Sequence, residues 1–168
     1  QYMRIFQNCI NVTKFCFGDK VKDLPNGLMG GWFIADFYLP DNIESIQGFA
    51  LWVANKELKL SKNIKYIAED ALHACNELTD LYYDIPYVCN EMENMLSMPW
   101  NLKNITIGPN VLSLPAHMFH GSEALEKIEI PENVDSIGLC CFYGCKNLKE
   151  VRLSPKISYI GYSAFANC

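Results

Sequence analysis

One pattern runs through nearly the whole chain, and it constrains the fold more than any composition does. Leu125, Ile128, Ile130-Pro131, Val134, Ile137-Gly138, Cys141-Phe142 and Cys145 are followed by Leu148, Val151, Leu153, Ile157, Ile160-Gly161, Ala164-Phe165 and Cys168, with one residue missing before Ile157. Leu102, Ile105, Ile107, Val111, Leu114, Met118-Phe119 and Ser122 keep the same offsets without a gap, as do Asn55, Leu58, Leu60, Ile64, Ile67, Ala71-Leu72 and Cys75. Shorter copies run from Ile34, Phe37 and Leu39-Pro40 to Ala54, and from Val12, Phe15 and Phe17 to Leu28-Met29. Phe6 to Cys9 reads as the tail of one more unit. The poorest copy lies between Leu78 and Asn101, where Leu81, Tyr83, Val88 and Met95-Leu96 fit only after a one-residue insertion.

About seven units of roughly 21 to 24 residues imply a solenoid, because a period in this range is the mark of stacked supersecondary units. Within each unit the L-x-x-I-x-I stretch alternates with period two, as a half-buried strand does. The later G-x-x-A-F-x-x-C stretch is long enough for about one helical turn. No unit buries both of its own faces, so successive strands must stack in parallel over a shared core.

Ile128-Glu-Ile130-Pro131-Glu-Asn-Val134-Asp-Ser-Ile137-Gly138, followed by Cys141-Phe142-Tyr-Gly144-Cys145-Lys-Asn147-Leu148, resembles the BspA-type (treponemal) leucine-rich repeat. The resemblance covers Val12 to Cys168; it departs between Leu78 and Asn101, where Pro99 stands at the turn cysteine. It implies an α/β fold, a right-handed leucine-rich-repeat solenoid with a concave parallel β-sheet and short helical turns or irregular segments on the convex side. Residues 1–168 are expected to form one such domain within a longer chain. Members of the family are mostly surface or secreted proteins of host-associated bacteria and some parasitic protists. The resemblance therefore implies adhesion or protein binding at an extracellular or cell-surface location, with a host extracellular protein among the conceivable partners.

The rest of the sequence narrows the function by exclusion. With 14 basic against 19 acidic residues and a net charge of −5, the chain has no positive field for nucleic acid. Its longest apolar runs, such as Gly48 to Ala54, fall far short of the ~20 residues of a membrane helix. Gln1-Tyr2-Met3-Arg4 is not followed by an apolar run and a small-residue cleavage site, so any signal peptide is expected to have been removed or never to have existed. No metalloprotease, nucleophile-elbow, dinucleotide or phosphate-loop motif occurs, so no cofactor is implied.

Eight cysteines raise the question of disulfides, zinc or a reactive thiol. Cys9, Cys75, Cys145 and Cys168 share the turn position, which calls for an internal, reduced thiol. Cys140, Cys141 and Cys145 lack the paired spacing of a zinc site. His117-x-x-His120 reads as solvated convex histidines, and a thiol-dependent enzyme built on Cys140 with His117 or His120 is the weaker alternative to a non-enzymatic module. Asn11-Val-Thr13 and Asn104-Ile-Thr106 match a glycosylation sequon of high chance frequency.

Register supplies the candidate site. Residues between and beside the core-facing pair of each strand face the opposite, concave side. Those columns read Lys14, Asp36, Glu57, Asp80, Asn104, Lys127, Glu150 and Cys16, Tyr38, Lys59, Tyr82, Thr106, Glu129, Arg152. Neither column follows the repeat. Asp36, Tyr38, Glu57, Lys59, Asp80, Tyr82 and Asp84 form an expected binding patch, aromatic anchors framed by charge, for a protein or peptide presenting lysine or arginine. A spacer solenoid with its partner site elsewhere is the alternative.

Overall fold

The computed structural model describes residues 6, 9, 11–29, 34, 36–86 and 95–168; Val88 of the poorest copy lies outside them. Each coil contributes up to two short strands. The first set is β1 (Lys14–Phe15), β3 (Asp36–Phe37), β5 (Glu57–Leu60), β7 (Asp80–Tyr83), β8 (Asn104–Ile107), β10 (Lys127–Glu129) and β12 (Glu150–Arg152). The second is β2 (Asp23–Leu24), β4 (Ser45–Ile46), β6 (Tyr66–Ile67), β9 (Ser113–Leu114), β11 (Ser136–Ile137) and β13 (Tyr159–Ile160). Every pairing is parallel and links one coil to the next: Leu58 faces Leu81, which faces Ile105, and Ile46 lies between Leu24 and Ile67.

Alternation sets the register as the sequence requires. Leu58, Leu60, Ile107, Ile128 and Ile130 are buried, while Lys59, Thr106, Glu129 and Arg152 are exposed. Two expectations fail at strands that lack a full set of neighbours. Val151 and Leu153 are 38% and 43% exposed because β12 is an edge strand paired with β10 alone. Ile105 is half-buried, on β8, where the ladder stops. The expected continuous sheet is in fact three ladders, β1-β3, β5-β7-β8 and β10-β12.

Of the expected helical turns or irregular segments only the irregular ones occur: no helix forms among the described residues, so the α component of the α/β assignment is corrected. His117, Cys140 and Ser163 occupy one repeat position with φ of 58°, 50° and 56°. Four residues on, Gly121, Gly144 and Asn167 have φ of 70°, 73° and 60°. A left-handed residue at both ends of so short a segment stops a helix from propagating. The amides are used sideways instead, Phe119 N–H donating to Cys141 O and Phe142 N–H to Ala164 O, both at 2.8 Å.

Apolar side chains from both strand sets and the turns make one core, in which the rings of Phe119, Phe142 and Phe165 stack coil upon coil. Asparagines tie the coils together at the strand exits. Asn42 Nδ2 donates to Val21 O, Asn63 Nδ2 to Asp41 O and Asn133 Nδ2 to Val111 O, at 2.5, 2.8 and 2.6 Å.

The turn thiols make an equivalent rung. Cys75 Sγ donates to Leu51 O at 3.5 Å, Cys145 Sγ to Phe119 O and Cys168 Sγ to Phe142 O at 3.2 Å. Ser122 stands at this position fully buried, and its Oγ has no partner among the described residues. An unpaired buried hydroxyl costs about 1–3 kcal/mol. Ser122→Ala is therefore expected to raise unfolding stability by about 1 kcal/mol in urea denaturation; a loss of that size would show that the hydroxyl is satisfied.

Candidate functional site

A hollow of about 450 Å³ opens on the outward side of the first strand set. Tyr38, Glu57, Lys59, Asp80 and Tyr82 line it, so five of the seven expected residues are brought together. Tyr38 is 63% exposed, as its place between core-facing Phe37 and Leu39 dictates, and Tyr82 is half-buried. Lys59 reaches Asp41 at 3.4 Å. Asp80 accepts from the Thr79 hydroxyl at 2.6 Å and from Asn104 Nδ2 at 2.7 Å. Those two bonds hold its carboxyl below the usual aspartate range.

Asp36 and Asp84 sit elsewhere. Asp36 is outside the lining and pairs with Lys14 at 3.0 Å, an exposed bridge across β1 and β3. Asp84 is 7% exposed and accepts from the Asn110 backbone N–H and from Asn110 Nδ2, each at 2.9 Å. It ties one coil to the next and is off the exposed face.

Three polar lining residues lie beyond the expected patch. Asn104 and Thr106 belong to the same two columns, and Asn55 closes the floor, its Nδ2 bonded to Phe37 O at 2.8 Å. Asn55 Oδ1 is enclosed without a donor among the described residues. Glu57, Asp80 and Thr106 place acceptors in the hollow beside the two tyrosines, which suits a cationic group. Asn55 was foreseen only as a unit's first residue.

For the thiol alternative, no hydrogen bond joins Cys140 to His117 or His120 among the described residues. Cys140 Sγ donates to the Tyr162 carbonyl at 3.8 Å, whereas His120 stacks on Tyr143 with ring centroids 5.1 Å apart. His117 lies against His120, centroids 5.6 Å apart. Among the described residues no three His, Cys, Asp or Glu converge as a metal site would need.

Cys75, Cys141 and Cys145 are buried, and Cys9, Cys16, Cys75, Cys140, Cys141, Cys145 and Cys168 are free thiols. Burial pushes the Cys75 and Cys145 thiols up to about 11, the latter helped by neighbouring Cys168. Cys168 itself is exposed, against the expectation that it is internal. Native labelling with iodoacetamide should modify Cys16 and Cys168 first and leave Cys75, Cys141 and Cys145 intact until unfolding; early loss of any of these three, read by peptide mass mapping, would contradict the packing.

Short parallel strands stacked coil upon coil around a shared core define a β-solenoid of the leucine-rich-repeat class. The BspA type leucine rich repeat region matches residues 2–96 and 93–168 in six copies, and the chain belongs to that family. Its fold is similar to the crystal structure of a leucine-rich repeat protein from Bacteroides ovatus, with 16% identity, a TM-score of 0.74, and coverage of 95% of this chain and 42% of that one. A leucine rich cell surface protein from Faecalibacterium prausnitzii matches with 19% identity and a TM-score of 0.43, over 88% of this chain and 55% of that one. The chain thus spans about half or less of the length of these two proteins. No curated protein matches the sequence. No helix among the described residues is long and apolar enough to cross a membrane.

Proposed function

We propose that the chain is a non-enzymatic binding module that holds a protein or peptide on the outward side of its first strand set, with Tyr38 and Tyr82 as anchors and Glu57 and Asp80 selecting lysine or arginine. The observation that carries this reading is the hollow itself. It lies where the repeat imposes no residue type, yet it gathers two tyrosines and two carboxylates. Rigid rings cover area at low entropic cost, and surrounding carboxylates orient a cation over their faces. Membership of the BspA-type family supports placing the module, as one solenoid domain spanning 1–168 of a longer protein, in a secreted or cell-surface protein with an adhesive role.

The test uses capped, fluorescein-labelled glycine-serine peptides carrying a single arginine, titrated by anisotropy. Tyr82→Ala should weaken binding by about 2 kcal/mol, or ~30-fold, while Glu129→Ala should change it less than about twofold. Circular dichroism should be unchanged for both. Equal and negligible effects on measurable binding would move the site to the turns or the ends of the solenoid and leave the sheet face as a spacer.

A further inference from the structure

A second hollow, of about 320 Å³, adjoins the first and shares Asn104 and Thr106 with it. Its charge is of the opposite kind. Three cations, Lys103, Lys127 and Arg152, line it with two carboxylates, Glu129 and Glu150. Arg152 Nε is held by Glu150 at 2.7 Å, which leaves Lys103 and Lys127 without an ion-pair partner among the described residues. Among the described residues that line the first hollow the only cation, Lys59, is already turned to Asp41.

The second hollow lies over a gap in the backbone ladder. Elsewhere a carbonyl just ahead of the strand accepts two N–H groups of the next coil: Lys56 O from Thr79 and Asp80, Thr79 O from Lys103 and Asn104, Glu126 O from Lys149 and Glu150. No backbone bond from Glu126 or Lys127 reaches Lys103 O, and β8 and β10 belong to separate ladders. Among the described residues the N–H groups of Glu126 and Lys127 therefore lack the backbone acceptor that their equivalents in the neighbouring coils have, and they lie beside two lysines. This is chemistry suited to a carboxylate.

We infer that the two hollows form one track for an extended peptide that crosses the strands, with a basic side chain in the first and an acidic side chain in the second; this rests on the reading of the first hollow as a cation seat. Their spacing sets the sequence of the occupant. From β5, at the middle of the first hollow, to β10, at the middle of the second, there are three strand intervals of ~4.8 Å, or ~14 Å in all. An extended chain rises ~3.3 Å per residue, so the two charges fall about four residues apart. A cation alone fills half of the track, and two cations place the second against Lys103 and Lys127.

The experiment compares capped, labelled peptides of about seven residues in a glycine-serine background, with arginine at the second position and glutamate, arginine or serine at the sixth. The arginine–glutamate peptide should bind ~10-fold more tightly than the arginine–arginine peptide, and its advantage should shrink as salt is raised. In the doubly substituted Lys103→Glu, Lys127→Glu protein the order should invert in favour of arginine–arginine. Lys127→Ser alone should abolish the preference without inverting it. Indifference to the sixth residue in the wild type, or a preference that survives charge reversal, would overturn the track. If the arginine–serine peptide still binds in a Tyr82-dependent way in that case, the first hollow stands as a cation seat. Failure of every peptide would remove both readings.

Discussion

Phe142→Ala is expected to lower unfolding stability by about 4 kcal/mol. The ring is fully buried between Phe119, 5.2 Å away, and Phe165, 5.1 Å away, nearly parallel to both. Truncation therefore removes transfer energy, leaves a cavity and breaks two ring contacts at once. In a solenoid each coil is held only by its neighbours, so the damage falls on both interfaces of this coil. Phe165→Ala should cost roughly half as much, because Phe165 is half-buried and stacks on one ring only. Urea titration followed by tryptophan fluorescence and by circular dichroism measures both. A loss below about 1 kcal/mol for Phe142→Ala would mean that the ring column does not couple the coils.

The repeat made the core legible because period-two alternation leaves little choice of face. Leu58 and Leu60 go in, Glu57 and Lys59 stay out, and the same holds coil after coil. The second strand set was not legible. A two-residue strand such as Ser136–Ile137 has no period to detect, and only its pairing with β9 and β13 makes it a strand. Of the two forms expected for the convex segments, helical turns or irregular chain, the irregular one is found: G-x-x-A-F-x-x-C has room for a helical turn, but the left-handed residue at Cys140 and its equivalents, which are not glycine and give no warning, excludes it.

Asp84 shows the same limit at the site. Alternation past inward Tyr83 would point it outward, but the strand ends there and the carboxylate turns into the next coil. Room for it comes from Gly108, where a Cβ would lie 2.2 Å from Asp84 Oδ1, and its donors come from Asn110. Reading glycine and asparagine one coil downstream would have flagged Asp84 as a strut. The first hollow was legible in its columns, whereas the second depends on a ladder gap that no sequence pattern marks.

Gly138 and Gly121 are both glycines of the repeat, but for different physical reasons, and substitution separates them. A Cβ on Gly138 would lie 2.5 Å from Ala116 N and 2.7 Å from Pro115 C, atoms of the preceding coil's backbone that cannot rotate away. Gly161 meets Leu139 N at 2.5 Å in the same manner one coil later. Gly138→Ala therefore forces two coils apart along the axis, and a loss of about 3 kcal/mol is expected. Gly121 has nothing within 4 Å of its Cβ position, but its φ of +70° belongs to the left-handed region. Gly121→Ala should cost only about 1–2 kcal/mol, the strain of that conformation for a residue with a Cβ. Asparagine tolerates that region, and Asn167 adopts a φ of 60° at the equivalent position, so Gly121→Asn should recover most of the loss. Gly138→Asn should recover none and be worse than alanine, since its larger side chain meets the same backbone. Thermal and urea unfolding of the four variants decide the matter: rescue by asparagine at both positions would show that backbone conformation, not coil-to-coil approach, fixes Gly138, and the close stacking at Pro115 and Ala116 would lose its role in setting the pitch.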